Sequence, residues 1–264
     1  MTSGTGNGAG PSVVREERGD VLWLRLNRAE RRNAYDEEMA ERLSTELRGS
    51  HDATAVVITG AGTAFCAGGF LGALADPDEA ALRRLFAASL RFFDEIRQHP
   101  RPVIAAVNGA AAGGGNELVI ACDLAIAAES ATFGQTGPRV GSAPVLGATN
   151  LLSVVIGEKR AKEMSFLCRR YTAQQALELG FVNAVVADDA LEGEVERWTD
   201  ELRGLSPRYL EIAKISSNVW WNACRDSYAN GFGMLIQAIG SEDMLEGARA
   251  FVEKRPPQFR RPRA

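Results

Sequence analysis

Residues 101–127 read RPVIAAVNGAAAGGGNELVIACDLAIA, and this stretch decides the fold. The apolar runs at 102–107 and 123–128 have the length and character of buried strands. Between them, a glycine-rich turn at 113–115 leads into a short helix. Apolar strands that alternate with helices predict a parallel sheet that is covered on both faces.

The same alternation extends toward the N-terminus. A hairpin opens the sheet, and Asp36 is placed to cap an amphipathic helix that Gly49 can end. Outside 101–127, the pattern predicts strands at 13–18, 21–27 and 55–59, a helix after Asp36 and a long helix at 78–99. The chain is therefore predicted to be an α/β protein with one main core.

Three segments are expected along the chain. Residues 1–12 are small and polar and are predicted to form a disordered N-terminal tail. Residues 13–200 are assigned to the α/β core. After about residue 148 helical periodicity replaces the strand signals, and residues 201–264 are assigned to a helical C-terminal region.

Composition excludes several classes of protein. The net charge of −4, from 30 basic and 34 acidic residues, is not that of a nucleic-acid-binding polycation. The four cysteines contain no C-x-x-C pair, which fits neither a zinc site nor a disulfide scaffold. No segment has the pattern of an export signal or a membrane span. We therefore expect a cytoplasmic protein without nucleic-acid or membrane partners.

Two glycine-dense turns each follow a buried strand, at 65–69 and at 113–115. Glycine lets the backbone approach a ligand closely, and Gly114, at a helix start, would present a free N–H at the positive end of the helix dipole. Either turn alone is more simply a tight turn that serves helix packing. Two such turns at neighbouring strand ends favour a pair of backbone donors, which is the arrangement of an oxyanion hole.

Four stretches of the chain resemble the crotonase (enoyl-CoA hydratase/isomerase) superfamily in order and spacing. They are ITGAGTAFCAGG (58–69), the opening stretch 101–127, ATFGQTGPRVG (131–141) and EGARAFVEKRPPQF (246–259). The resemblance runs from about Val13 to Phe259. It implies a crotonase (ClpP-like) spiral of ββα units whose C-terminal helices form trimers, a homotrimer or a hexamer built as a dimer of trimers, and acyl-CoA thioester substrates. It implies no metal or redox cofactor.

The resemblance also assigns roles to residues. The residues that it implies for catalysis are Gly69, Gly114, Glu117, Gln135 and Gly137. Those that it implies for binding coenzyme A or the acyl group are Arg32, Ala34, Ala67, Gly68, Phe70, Gly113, Thr136, Ser142 and Lys254. In this scheme the amides of Gly69 and Gly114 hold the thioester oxygen, and Glu117 is the carboxylate that activates water. Phe70 stands where many members have aspartate, which suggests an apolar acyl pocket.

One departure from the family leaves the reaction open. Hydratases of this family use a second carboxylate two residues after Gln135, and Gly137 stands there. A first hypothesis uses Glu117 alone for hydration or hydrolytic C–C cleavage of an enoyl- or oxo-acyl-CoA. It is supported by GSAPVLGAT (141–149), which resembles ring-opening hydrolases of alicyclic oxo-acyl-CoA thioesters.

A second hypothesis follows from the resemblance of GQTGPRVGS (134–142) to dihydroxynaphthoyl-CoA synthases. In this hypothesis bicarbonate would lie beside Gln135, Thr136 and Gly137 in a Dieckmann-type cyclisation. A third is a catalytically idle homologue that binds acyl-CoA.

Overall fold

The computed structural model describes residues 10–69 and 78–259, and its strands form two sheets. The strands are β1 (Val13–Arg18), β2 (Val21–Leu26), β3 (Ala55–Gly60), β4 (Ala64–Cys66), β5 (Val103–Val107), β6 (Ala110–Ala112), β7 (Leu124–Ala128), β8 (Thr132–Gly134), β9 (Arg170–Thr172) and β10 (Ala184–Val186). The larger sheet has six strands in the order β1-β2-β3-β5-β7-β10. Only the β1–β2 hairpin in it is antiparallel, which confirms the predicted parallel sheet.

The smaller sheet has four strands in the order β4-β6-β8-β9. Its strands β4, β6 and β8 run parallel, and each follows a strand of the larger sheet by a few residues. The chain thus steps from the larger sheet to the smaller one and then into the next helix, which confirms the predicted spiral of ββα units. The sequence did not reveal these strands because three residues are too few to show a period.

The helices cover both faces of the larger sheet and make up most of the C-terminal third. They are α1 (Glu37–Arg48), α2 (Glu79–Gln98), α3 (Gly114–Ala121), α4 (Leu152–Ile156), α5 (Glu158–Leu167), α6 (Ala173–Glu178), α7 (Leu191–Arg203), α8 (Pro207–Ser217), α9 (Val219–Ala223), α10 (Arg225–Gln237) and α11 (Glu242–Val252). Asp36 caps α1 as predicted, because its side chain accepts a hydrogen bond of 3.0 Å from the Met39 amide. No helix in the described ranges is long and apolar enough to cross a membrane.

Alternate side chains of the larger sheet enter two different apolar clusters. Leu24 and Ile58 belong to the larger cluster, which includes the buried faces of α1 and α2. Trp23 and Val57 point the other way and pack with Val195 of α7. Both faces of the sheet are therefore buried, which explains why its central strands are apolar throughout rather than alternating with polar residues.

The C-terminal helices are tied to the core by a buried ion pair. Lys214 of α8 lies with its Nζ 2.7 Å from Oδ2 of Asp123, just before β7. The same Nζ donates hydrogen bonds to the carbonyls of Ile96 at 2.8 Å and Arg101 at 2.9 Å. All of the donors that the ammonium offers are thus used, as a buried charge requires.

Ser12, the last residue of the predicted N-terminal tail, contacts the core. Ser12 is buried, its hydroxyl donates a hydrogen bond of 2.7 Å to Glu38, and its carbonyl accepts one of 2.7 Å from the Asn27 amide. Ser12 thus finds partners on α1 and after β2, and the extent of the N-terminal tail stays a prediction. Residues 1–9 lie outside the described residues.

Candidate active site

The two glycine-dense turns lie in direct contact. A Cβ atom added to Gly68 would lie 2.6 Å from the amide nitrogen of Gly114 and 3.0 Å from the carbonyl oxygen of Ala112. Gly68 also has a positive φ of 89°. Only glycine satisfies both conditions, so the close approach of the turns depends on this residue.

Two backbone amides at this junction are free to bind a ligand. Gly114 is the first residue of α3, where an N–H has no partner within the helix. Neither its amide nor that of Gly69 donates a hydrogen bond to another residue in the described part of the chain. Gly69 and Gly114 also line the same cleft. The arrangement is compatible with the predicted oxyanion hole, whose role remains a prediction.

The cleft encloses about 760 Å³ including its open mouth. It brings together nine of the residues that the sequence pointed to. They are Ala67, Gly69, Gly113, Gly114, Glu117, Gln135, Thr136, Gly137 and Ser142. These residues come from four separate segments of the chain, and their meeting in one cleft follows from the spiral, which places the ends of β4, β6 and β8 side by side.

Four of the remaining predicted residues do not line the cleft, namely Arg32, Ala34, Gly68 and Lys254. Ala34 and Gly68 are buried behind it, and the Arg32 carbonyl accepts a hydrogen bond of 3.0 Å from the Ala67 amide, which links the two loops. Lys254 is exposed and follows α11 with a positive φ of 55°. Phe70 lies outside the described residues. The role predicted for these residues in binding coenzyme A stays a prediction.

Glu117 is a buried carboxylate with one anchored oxygen and one free oxygen. Its Oε1 accepts hydrogen bonds from the amides of Leu146 at 2.7 Å and Ala148 at 3.3 Å. Its Oε2 has no hydrogen-bond partner among the described residues, and the side chain lines the cleft. Burial raises the pKa of Glu117 to about 8, although the two backbone hydrogen bonds oppose that rise. The group is therefore poised to exchange a proton near neutral pH.

The structure explains the glycine that replaces the second carboxylate. A Cβ atom on Gly137 would lie 2.9 Å from the carbonyl oxygen of Ser142 and 3.0 Å from the Cα of Ala143. The space that a side chain at this position would enter is therefore filled by backbone. This packing gives no support to a bicarbonate ion in the place of that side chain. The neighbouring Gln135 is buried, and neither atom of its side-chain amide has a hydrogen-bond partner in the described ranges.

The rest of the cleft is mainly apolar and includes residues that the sequence did not single out for the site. The apolar wall is formed by Leu82, Leu85, Phe86, Val145, Leu146, Phe232 and Leu235. Phe232 and Leu235 were missed because an apolar pair on an amphipathic helix reads as ordinary core.

Tyr35 and Ser89 are polar residues of the cleft that were also missed. Tyr35 directly follows Ala34, which was itself singled out, so its position was the available signal. Ser89 lies within α2, where nothing in the sequence distinguishes it from a helix surface position. Among the described residues, no group of three or more histidine, cysteine, aspartate or glutamate side chains is placed to hold a metal ion.

Fold and cleft together define an enzyme-like α/β protein with a carboxylate and free backbone donors in one apolar site. A family model described as enoyl-CoA hydratase/isomerase matches residues 16–262, which is nearly the whole chain. The protein therefore belongs to the enoyl-CoA hydratase/isomerase family, within the crotonase superfamily, and the resemblance found in its sequence is confirmed.

Solved structures agree with this assignment. The chain is similar to an enoyl-CoA hydratase from Mycobacterium avium subsp. paratuberculosis, with 26% identity, a TM-score of 0.87 and coverage of 95% of this chain and 99% of that one. It is similar to an enoyl-CoA hydratase from Bacillus anthracis, with 33% identity, a TM-score of 0.76 and coverage of 94% and 98%. An enoyl-CoA hydratase/isomerase from Pseudoalteromonas atlantica shares 27% identity at a TM-score of 0.83, with coverage of 94% and 100%.

Proposed function

We propose that the protein binds an acyl-CoA thioester in this cleft and adds water across the double bond of its α,β-unsaturated acyl group. The observation that carries the proposal is the free Oε2 of Glu117 in the same cleft as the unpaired amides of Gly69 and Gly114. These three groups are what the reaction needs, namely a base for water and donors for the oxygen that becomes negative.

The reaction divides into two proton transfers around an enolate. Oε2 of Glu117 accepts a proton from water as the water oxygen bonds to the β-carbon, and the π electrons move through the α-carbon onto the thioester oxygen. The enolate oxygen is held by the two amides, each worth about 3 to 4 kcal/mol in such sites. Glu117 then returns the proton to the α-carbon. The product is the 3-hydroxyacyl thioester, and the enzyme ends in its starting state.

The preferred acyl group follows from the wall of the cleft. Leucine, valine and phenylalanine side chains from α2, α10 and the 141–149 loop line the cleft in which the acyl chain would bind. We therefore propose an apolar acyl group, with the alicyclic enoyl-CoA thioesters included among the candidates. Water addition is also the step that begins hydrolytic C–C cleavage of an oxo-acyl-CoA, so the substrate panel that tests the proposal contains both kinds of compound.

Glu117→Gln tests the proposal directly. We expect purified wild-type protein to hydrate crotonyl-CoA or a cyclohexenoyl-CoA, measured by the loss of enoyl-thioester absorbance. Glu117→Gln should lose that activity by about 100-fold or more while binding a saturated acyl-CoA as tightly as wild type. The control is Glu95→Gln, which removes a carboxylate of α2 that pairs with Arg48 outside the cleft.

The other outcomes overturn the proposal in different ways. Undiminished hydration by Glu117→Gln removes Glu117 from the mechanism. Tight binding of enoyl-CoA by the wild type without hydration supports the catalytically idle homologue. Turnover of an oxo-acyl-CoA alone, with cleavage products, would replace hydration by C–C hydrolysis.

A further inference from the structure

Tyr35 spans both turns of the candidate oxyanion hole. We propose that its hydroxyl is a third hydrogen-bond donor to the thioester oxygen, beside the amides of Gly69 and Gly114, and that Tyr35 is therefore a catalytic residue. The inference rests on the proposed function, because it needs a thioester bound at those amides.

The backbone holds Tyr35 against the first turn. Its amide donates a hydrogen bond of 2.9 Å to the carbonyl of Gly68, and Tyr35 and Gly69 form a parallel β-bridge. The ring is fixed from the other side by Phe92, whose centroid lies 5.4 Å away in an edge-to-face contact. Main-chain pairing and ring packing thus leave the hydroxyl little freedom of position.

The ring reaches from one turn to the other. Its Cε2 lies 4.0 Å from the position that a Cβ atom of Gly69 would occupy, and its hydroxyl lies 2.4 Å from the corresponding position at Gly114. Gly114 therefore has no room for a side chain because the Tyr35 hydroxyl is there. The hydroxyl sits beside the residue whose free amide is the second donor, and Tyr35 lines the cleft.

The chemistry of the site suits a neutral tyrosine. Tyr35 is buried, and its pKa is raised well above 10, first by burial and then by the charge of Glu117. A side-chain hydrogen bond with Ser89 lowers the pKa by a smaller amount. The phenol thus stays protonated at neutral pH and can donate a hydrogen bond. A donor that is already oriented and excluded from water stabilises a developing oxyanion without reorganisation.

A third donor would stabilise the enolate, and this cleft depends on that stabilisation because it has one carboxylate among the described residues. Tyr35 and Glu117 are the titratable residues among the described residues that line it, and the position of the second carboxylate is Gly137. With one carboxylate, the same Glu117 must take a proton from water and deliver it to the α-carbon. The enolate must persist between those two events, and each hydrogen bond to its oxygen lowers the barrier on both sides.

Tyr35→Phe tests the assignment, because it removes the hydroxyl and keeps the ring that packs on Phe92. We expect kcat for enoyl-CoA hydration to fall about 100-fold, with KM changed by less than about 3-fold. The decisive readout is the infrared carbonyl stretch of a bound, isotope-labelled saturated acyl-CoA, which requires no turnover. Wild type should shift that band to lower frequency than in solution, and Tyr35→Phe should lose a measurable part of the shift.

A matched control separates this role from general packing. Tyr171→Phe removes the hydroxyl of another buried tyrosine, on β9 and outside the cleft, and should leave both kcat and the carbonyl band as in wild type. If Tyr35→Phe proves unstable, Tyr35→fluorotyrosine keeps the hydroxyl and makes it more acidic, and it should increase the shift of the band.

The possible failures are distinguishable. A wild-type protein that neither hydrates enoyl-CoA nor shifts the carbonyl band overturns the proposed function and the role of Tyr35 with it. A wild type that does both, together with a Tyr35→Phe variant that keeps the full shift and full kcat, overturns the role of Tyr35 alone.

Discussion

The amide of Leu146 donates a hydrogen bond of 2.7 Å to Oε1 of Glu117. The donor lies in the 141–149 loop, and the acceptor lies in the first turn of α3. This loop follows the segment in which Gly137 replaces the second carboxylate. The segment thus contributes no acid of its own, and the loop after it instead orients Glu117, the one acid among the described residues that line the cleft.

The rate of hydration should rise with pH. Burial raises the pKa of Glu117 to about 8, and only the ionised carboxylate can accept a proton from water. We expect kcat/KM to increase about tenfold per pH unit below that value and to level off above it. Steady-state kinetics from pH 6 to pH 9 measure the profile, and a flat profile over this range would contradict the assignment of Glu117 as the base.

The stability of the fold should also depend on the ionisation of Glu117. It should fall as the pH rises, whereas the rate of hydration should increase. The pKa of Glu117 is higher in the folded state, about 8, than its ordinary value of 4.5, so the folded protein binds the extra proton between those values. The stabilisation that comes from protonated Glu117 is complete below about pH 4.5 and is lost as the pH rises through about 8.

Glu117→Gln removes this dependence. We expect wild type to lose on the order of a few kcal/mol relative to the variant between pH 5 and pH 9. Denaturant unfolding of both proteins at each pH gives the difference. A difference that is constant across the range would show that Glu117 titrates normally in the folded protein.

The sequence was sufficient to predict five strands of the larger sheet, because the buried central strands β3, β5 and β7 are continuous apolar runs. It did not predict the sixth strand, β10, which has three residues. It could not predict the smaller sheet, whose strands such as Ala110–Ala112 are as short as a turn. It located Gly114 because helix starts and glycine runs have local signals, and it located Glu117 through the resemblance to the family. It could not show that Tyr35 reaches Gly114, because that contact depends on how two distant turns pack.

Gly137→Ala should destabilise the protein by about 1 to 3 kcal/mol. The added Cβ would lie within 3.0 Å of the Ser142–Ala143 backbone, which must move to admit it. The control is Gly193→Ala in α7, where a Cβ meets nothing within 4 Å. Because alanine favours a helix over glycine, that variant should be up to about 1 kcal/mol more stable. Thermal unfolding compares the two, and equal stability of both variants would contradict the packing at Gly137.

Lys214→Met should cost about 3 to 5 kcal/mol, because it leaves the largely buried Asp123 without its cation and two carbonyls without a donor. Lys159→Met, at an exposed position of α5, should change stability by less than about 0.5 kcal/mol. Urea unfolding measures both. If Lys214→Met unfolds at the same midpoint as wild type, the ion pair does not hold α8 to the core.

The C-terminal helices carry apolar side chains that the single chain leaves exposed. Tyr209 and Ile212 lie three residues apart on α8 and are 73% and 48% exposed, and Trp220 of α9 is 57% exposed. Exposed apolar side chains of this kind are typical of a surface that another subunit covers. We therefore propose that they contribute to assembly of the homotrimer or hexamer that the family resemblance implies. Ile212→Glu would place a charge in that interface and should reduce the assembly to monomers, as measured by light scattering of the purified protein.

Phe166→Glu, which places the same charge on α5 outside the C-terminal region, should retain at least three subunits. A wild type that is monomeric at micromolar concentration, or an Ile212→Glu variant with the mass of wild type, would show that these side chains are not where the subunits meet.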